Sequence, residues 1–367
     1  MPLSKIKTNS VADEVFEAGS NLIVNGAMAI AQRSVSETAQ HTSGYITCDR
    51  FLFNFVNEDE LRLTVTQEAD GPSGFSNSLK LQTTTAESAV AADEELRVIY
   101  RAEGQDLQSL GFGTSAAKKF TVSFYVKSSV AATYGFNAYI YDANKVFGQA
   151  YTINSANTWE RKSITFDANT SDIITDDNTV GLQFNWFLMA GSNYTSGSNS
   201  SWETYAQSKQ AVGHTANAVA TTTNATWQIT GVQMEGGEQA TPFQHEDIGT
   251  TLAKCQRYYT QFNASGSYTN YGHGTVISST QCEIQMSLPT EMRDEPGFSS
   301  SSPVGDFRIY EAGTRTVTSF TASGYSNRKC GSVTVNCSGG GMATGRSGKL
   351  QDDDNKPNNF IAWSAEL

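Results

Sequence analysis

Apolar and polar residues alternate in short runs along most of the chain. Clusters of Gly, Asn, Asp and Ser separate these runs, which include residues 120–126, 134–141, 159–166, 180–188 and 225–234. A period of two places one face of a strand on a core and the other in water. No helical repeat interrupts the runs, so we expect hairpins and Greek-key connections. The pattern predicts an all-β fold, with a jelly-roll-like β-sandwich over residues 21–242.

The first 20 residues differ from this pattern because they are polar and too poor in apolar positions to form a core. Residues 1–20 are predicted to be a short docking arm, with a frayed terminus as the alternative. The apolar positions that would make the contacts are Leu3, Ile6, Val11, Val15 and Phe16.

A short helical pattern follows the predicted sandwich. Leu252, Cys255 and Tyr259 recur at helical spacing, and Thr250 or Thr251 is predicted to be the N-cap. Residues 243–259 are therefore interpreted as a helical hinge. Strand patterns resume after it, which predicts a smaller C-terminal β domain over residues 260–367.

The composition and charge of the chain make several classes of function unfavourable. The chain has 367 residues and a formal net charge of −12, so nucleic acid and anionic membrane surfaces are unfavourable partners. No apolar run is long enough for membrane insertion, and the N-terminus lacks the apolar region of a signal peptide, so synthesis in a cytoplasm is expected. Five cysteines without CxxC spacing predict reduced thiols in or near cores.

Motifs for catalysis or for cofactors are missing from the sequence. It contains no GxSxG elbow, no HExxH and no GxGxxG after a strand, so no catalytic residue, cofactor or catalytic metal is predicted. Acidic clusters occur at residues 93–95, 176–177 and 352–354. They are interpreted as solvated turns, with structural calcium as the alternative. A hydrolase whose two carboxylates converge only in the fold stays open.

A long loop at residues 191–224 is rich in Ser, Asn and Gly, and segments of this length are often functional. Tyr194, Trp202 and Tyr205 lie within the long loop and are predicted to be exposed, where their rings could stack on sugars. We therefore take the long loop as the first candidate for glycan recognition.

Other aromatic residues fall into two groups. Tyr268 and Tyr271 lie in a Gly-rich polar segment and are further glycan-binding candidates. Trp159, Trp186 and Trp227 lie within strand patterns and are predicted to belong to cores.

Residues 21–33 (NLIVNGAMAIAQR) resemble the opening of a group of bacteriophage tail-fibre and receptor-binding proteins, whose β-sandwich begins with an NLLxNGxMxxxQR-like phrase. The chain's ending (AEL) is also similar to that of the group. The start of the chain is similar to fibre proteins from phages of marine and cyanobacterial hosts. Further similar phrases follow in the same order at residues 45–51, 74–79, 157–160, 229–235, 240–243 and 255–259.

The resemblance implies a virion protein, namely a tail fibre or receptor-binding appendage that attaches the particle to host surface glycan through a sandwich similar to carbohydrate-binding modules. It also implies a homotrimer whose N-terminal arm binds other tail proteins. The long parallel β-helix repeat of enzymatic tailspikes is absent from the sequence. A decoration or adaptor protein of the virion, without receptor binding, is the alternative, and a carbohydrate-active hydrolase is the second one.

Overall fold

A computed structural model describes residues 21–354 and 356–367. The chain forms two compact units, the first ending at Glu246 and the second beginning at Asp247. The predicted docking arm lies outside the described residues, so its role stays a prediction, as do the contacts of Leu3, Ile6, Val11, Val15 and Phe16.

Short antiparallel strands make up most of the first unit. Its helices are short: a 3₁₀ helix at Gly104–Leu110, α1 at Ser192–Thr195, a 3₁₀ helix at Gln207–Lys209 and α2 at Ala218–Thr221. Its strands are β1 (Ser36–Gln40), β2 (Gly44–Tyr45), β3 (Phe51–Val56), β4 (Arg62–Glu68), β5 (Ser78–Thr85), β6 (Glu95–Glu103), β7 (Phe120–Ser128), β8 (Thr133–Ile140), β9 (Lys145–Thr152), β10 (Glu160–Phe166), β11 (Val180–Ala190), β12 (Glu203–Thr204) and β13 (Thr226–Gly236).

These strands form two sheets that enclose one apolar core. The first sheet has the order β1-β4-β5-β13-β7-β10, and the second has the order β12-β9-β8-β11-β6-β3-β2. Trp186 from β11 and Trp227 from β13 are fully buried in the core, as predicted. Trp159 is only half-buried, with the Lys127 ammonium 5.1 Å from its ring centroid. The all-β sandwich prediction is confirmed.

The phrase that carries the resemblance has a structural role. The Asn25 backbone has a φ of 61°, and its side-chain amide donates to the Ile30 carbonyl and accepts from the Ile30 N–H, both at 2.9 Å. The Asn21 amide donates to the Val232 carbonyl at 3.0 Å. A Cβ on Gly26 would lie 2.0 Å from the Val232 oxygen, so only glycine fits there. The phrase thus fixes the start of the sandwich against β13.

The second unit contains a closed barrel of order β15-β16-β20-β19-β18-β21 and a three-stranded sheet of order β14-β22-β17. The sequence predicts a β domain here but not the closure of its strands. The elements are α3 (Ile248–Gln256), β14 (Tyr259–Asn263), β15 (Asn270–Ser278), β16 (Gln281–Ser287), β17 (Gly297–Ser300), a 3₁₀ helix at Val304–Asp306, β18 (Phe307–Tyr310), β19 (Thr314–Ala322), β20 (Cys330–Cys337), β21 (Ser347–Asp352) and β22 (Phe360–Ser364).

Helix α3 begins earlier than the sequence pattern predicts. Asp247 is its N-cap, and the carboxylate accepts from the backbone N–H groups of Gly249 at 2.9 Å and Thr250 at 3.2 Å. The predicted caps Thr250 and Thr251 are wrong, because both lie within the helix and the preceding carboxylate satisfies the free N–H groups.

The thiol prediction is confirmed: all five cysteines are free, and only Cys330 is partly exposed. In the part of the chain that the structure describes, no helix is long and apolar enough to cross a membrane. Within the same residues, no group of three or more His, Cys, Asp or Glu side chains is arranged to hold a metal ion. Structural calcium stays a prediction.

Candidate functional site

The second sheet of the sandwich is apolar on one face and polar on the other. Phe136 on β8 and Phe184 and Trp186 on β11 point into the core. The residues between them, Asn137 and Asn185, point the opposite way and are paired in register across the two strands. The strand period of two therefore places a row of amide side chains on the face that is turned away from the core.

A pocket of 210 Å³ lies over this polar face. Strands β6, β8, β9 and β11 supply its floor, and the long loop supplies part of its wall. The lining residues are Arg97, Asn137, Tyr139, Tyr141, Val146, Gln183, Asn185, Tyr205 and Gln210.

Gln183, Asn185 and Asn137 form a continuous hydrogen-bonded amide row across the floor. Gln183 donates to the Asn185 side-chain oxygen at 2.7 Å, and Asn185 donates to that of Asn137 at 2.6 Å. Asn137 donates in turn to the Gln210 backbone carbonyl at 2.7 Å. Within the row, Asn137 and Asn185 each use one N–H and one oxygen lone pair. Each therefore retains one N–H and one lone pair.

Arg97 lies beside the amide row and is held on three sides. Its Nη1 donates to the Gln210 side-chain oxygen at 2.7 Å, and its Nη2 donates to the Asn54 side-chain oxygen at 2.9 Å. Nη2 also lies 3.2 Å from a carboxylate oxygen of Glu95, whose side chain is 2% exposed. Burial raises the pKa of Glu95, and the Arg97 guanidinium opposes that shift. The pair balances its own charge beneath the pocket.

Three tyrosines form the rim. The Tyr139 ring centroid lies 4.9 Å from that of Tyr141 and 5.5 Å from that of Tyr205, both in edge-to-face geometry. Tyr141 is 40% exposed and Tyr205 is 39% exposed. The rim thus offers partly exposed rings directly beside the buried amide row.

Hydrogen bonds fix the orientation of these rings. The Tyr141 hydroxyl donates to the Gln183 side-chain oxygen at 3.1 Å, and the Tyr205 hydroxyl accepts from Gln210 Nε2 at 2.9 Å. Burial raises the pKa of Tyr139 and of Tyr205, so both phenols are neutral at physiological pH. The rim presents neutral hydroxyls in fixed positions.

Of the five aromatic residues predicted for glycan recognition, only Tyr205 lines this pocket. Trp202 is half-buried in the edge of the core, with its ring centroid 5.5 Å from Phe147 and 6.0 Å from Phe112. Its Nε1 donates to the Asp167 carbonyl at 2.7 Å. The prediction that Trp202 is exposed is wrong, because the sandwich edge offers its ring an apolar site.

The prediction that Tyr194 is exposed is also wrong. It is 4% exposed and packs in a small apolar cluster with Phe187, Ala190 and Ala211. The cluster attaches the long loop to β11, so the ring of Tyr194 has no face available to a ligand.

Tyr268 and Tyr271 belong to the second unit and do not line the pocket. Tyr268 is 53% exposed, in agreement with the prediction. Tyr271 is 8% exposed, and its ring centroid lies 5.6 Å from that of Phe307 in the barrel core. Burial raises its pKa. The expectation of an exposed Tyr271 is therefore wrong.

The acidic clusters are only partly solvated. Asp93 and Asp176 are exposed, as predicted. The interpretation is wrong for Glu94, Glu95 and Asp352, which are buried. Glu95 lies in β6 and Asp352 in β21, so these two carboxylates belong to strands rather than to solvated turns.

Sequence reasoning missed most of the pocket. The signal was present in β11, where Gln183 and Asn185 alternate with Leu182, Phe184 and Trp186. Amides at every second position of such an apolar strand indicate a polar face that is itself covered or functional.

No protein-family model matches the chain, and no curated protein matches it in sequence.

Several solved structures are similar to the chain at low sequence identity and low TM-score. The enzymatically active domain of tailspike protein 4 of bacteriophage CBA120 is 10% identical with a TM-score of 0.30, and the match covers 59% of this chain and 21% of that chain. The carbohydrate-binding module TmCBM61 in complex with β-1,4-galactotriose is 7% identical with a TM-score of 0.29, over 59% of this chain and 99% of that chain.

A family 11 carbohydrate-binding module from Clostridium thermocellum, in complex with a β-1,3-1,4-mixed-linked tetrasaccharide, is 11% identical with a TM-score of 0.27, over 56% of this chain and 98% of that chain. Likenesses this weak do not indicate what the chain binds.

Proposed function

We propose that the pocket on the second sheet binds a neutral glycan without cleaving it. The observation that carries this proposal is the amide row beneath a tyrosine rim. Asn137 and Asn185 each keep one donor and one acceptor, which match the paired hydroxyls of a sugar ring. The partly exposed ring of Tyr141 supplies a flat apolar surface for the C–H face of the same sugar.

The charge of the pocket favours an uncharged ligand. None of the lining residues carries a carboxylate, and the one lining guanidinium, Arg97, is paired with the buried Glu95. A sulfated or uronic-acid glycan would need a cation with free donors, because burying an unpaired anion is costly. Neutral hexoses have no such requirement.

The proposed role is binding rather than hydrolysis. Glycoside hydrolysis needs two carboxyl groups on either side of the scissile bond. The lining of the pocket supplies none, and the Glu95 carboxylate beneath it is engaged by Arg97. Incubation with a bound polysaccharide should therefore release no new reducing ends, and their release would support the hydrolase alternative.

The ordered phrases that resemble bacteriophage fibre proteins support a wider proposal. The chain is a tail-fibre or receptor-binding appendage of a virion, made in the host cytoplasm and assembled as a homotrimer. Its N-terminal arm joins other tail proteins, and its pocket attaches the particle to host surface polysaccharide. A trimer holds several weak sites together, which raises their effective concentration on a glycan-covered surface.

Binding to the pocket is tested by calorimetric titration with neutral oligosaccharides, including β-1,4-galactotriose and a mixed-linked β-glucan tetrasaccharide. Tyr141→Ala should lower affinity about tenfold or more, since it removes an exposed stacking ring. Tyr310→Ala is the matched control because Tyr310 is similarly exposed, at 47%, in the second unit. Equal effects of the two substitutions would refute the pocket.

The virion role is tested by immunolabelling intact particles and by competition for host cells with the purified chain. Labelling of the tail, together with blocked adsorption that Tyr141→Ala abolishes, is the expected result. Labelling of the capsid, or no competition for cells, would favour the decoration or adaptor alternative.

A further inference from the structure

The long loop covers one side of the pocket. Strand β12 of the long loop pairs with β9, and the Tyr205 N–H then donates to the Asn144 carbonyl at 2.9 Å. The Tyr205 ring reaches back to Tyr139 on β8. Further along β9, a Cβ on Gly148 would lie 2.8 Å from the Lys209 carbonyl oxygen. The loop therefore lies directly on β9, and no ligand chain can leave the pocket across that strand.

The same loop also crosses β8 and β11. A Cβ on Gly135 would lie 2.9 Å from the Ala211 Cα, so the loop backbone contacts the β8 backbone. On β11, Phe187 is covered by Ala211 and Tyr194. The loop also closes the floor between Gly135 and Phe187, because the Asn137 side chain donates to the Gln210 carbonyl there. A ligand chain that runs along the strands is stopped here.

The two walls are joined at a corner. Gln210 Nε2 donates to the Tyr205 hydroxyl at 2.9 Å, and the Gln210 side-chain oxygen accepts from Arg97 at 2.7 Å. Gln210 is 5% exposed, so this junction is buried and fixed. The pocket stays open beside Tyr141, which is 40% exposed. Chains that run along the strands or across them thus each meet a closed end.

We infer that the pocket binds the terminal sugar unit of a neutral glycan chain rather than an internal unit. The inference rests on the proposed function and adds the part of the glycan that is recognised. An internal unit of an extended chain needs two opposite exits, and the corner formed by Gln210 and Tyr205 closes one end of each direction. A terminal unit needs only one exit, so the corner does not exclude it. The remainder of the chain leaves past Tyr141.

The experiment counts binding sites per gram of polysaccharide. A panel of neutral polysaccharides, including linear β-1,4-galactan and mixed-linkage β-glucan, is measured by calorimetric titration before and after limited endo-hydrolysis that keeps the total mass constant. If chain ends are recognised, the saturating amount of protein per gram rises in proportion to the number of ends. An unchanged amount per gram would overturn the inference while leaving glycan binding intact.

A variant that opens the corner provides a second readout. Tyr205→Ala removes one wall at a 39% exposed position, so it should reduce the gain in sites caused by hydrolysis, while Tyr310→Ala should keep the full gain. The same full gain in Tyr205→Ala would contradict the wall assigned to Tyr205. No binding to any polysaccharide of the panel would refute the proposed function itself, and the inference with it.

Discussion

His214 anchors the long loop to the sheet through both of its ring nitrogens. Nδ1 accepts from the Gly135 N–H at 3.2 Å, and Nε2 bonds the Asn217 side-chain oxygen at 3.0 Å. Asn217 also bonds the backbone of Ala190 on β11. Burial lowers the pKa of His214 to about 4. The acceptor role of Nδ1 requires the neutral imidazole, so the loop is fixed by an uncharged side chain.

Acid should therefore weaken the sandwich. The folded-state pKa of His214 lies below its unfolded value of 6.5, so its contribution to stability is complete above pH 6.5 and is lost as the pH falls toward 4. We expect a loss of about 3 kcal/mol over this range in urea unfolding experiments. His214→Gln should flatten the pH dependence, whereas the same change at the exposed His41 should not.

Trp202 closes the edge of the core, and its truncation should act on stability first. Trp202→Ala should lower the free energy of unfolding by about 2–4 kcal/mol, because it leaves a cavity beside Phe147 and removes the bond to Asp167. Urea unfolding measures this loss, with Tyr325→Ala at a 74% exposed position as the control. Unchanged stability with lost glycan binding would restore Trp202 as a recognition residue.

Among the elements, the long loop depends on the glycines of the strands beneath it. Gly135→Ala should displace the loop and raise the dissociation constant for glycan, because the new Cβ would meet the Ala211 backbone. We expect about 1–3 kcal/mol of destabilisation as well. Gly44→Ala in β2 of the same sheet is the control, since no atom lies within 4 Å of its Cβ position. Equal binding by the two variants would argue against a loop-built wall.

The strands could be predicted from alternation, and the pocket only in part. Gln183 and Asn185 already stand out as amides within an apolar strand, whereas Gln210 and Arg97 reach the pocket through contacts that span more than 70 residues. The long loop misled prediction because its polar composition masks two buried anchors, Tyr194 and His214, and the half-buried Trp202. Closure of the barrel in the second unit depends on strand pairing, which alternation alone does not specify.

The resemblance at residues 21–33 is carried by residues that have a structural role. Asn21, Asn25 and Gly26 hold backbone geometry at the start of the sandwich, and none of them lines the pocket. A resemblance carried by such residues predicts a shared fold more directly than a shared ligand. The proposed function rests on the amide row and its tyrosine rim.

At the scale of the whole molecule, the net charge of −12 contrasts with the balanced charge of the pocket. A neutral ligand interacts only weakly with the electrostatic field of the charged chain. Its affinity should therefore change by less than about twofold between about 0.05 and 0.5 M salt. Calorimetric titration at several salt concentrations checks this. A steep loss of affinity with salt would indicate a charged glycan.

The proposed ligand of the amide row and tyrosine rim is a neutral sugar. A crystal structure of the chain with the tightest-binding neutral oligosaccharide tests it most directly. We expect a sugar unit hydrogen-bonded to Asn137 and Asn185, with one face against Tyr141 and its chain end at Gln210. A sugar bound instead in the second unit, for example at the exposed Tyr268, with the pocket empty, would contradict it.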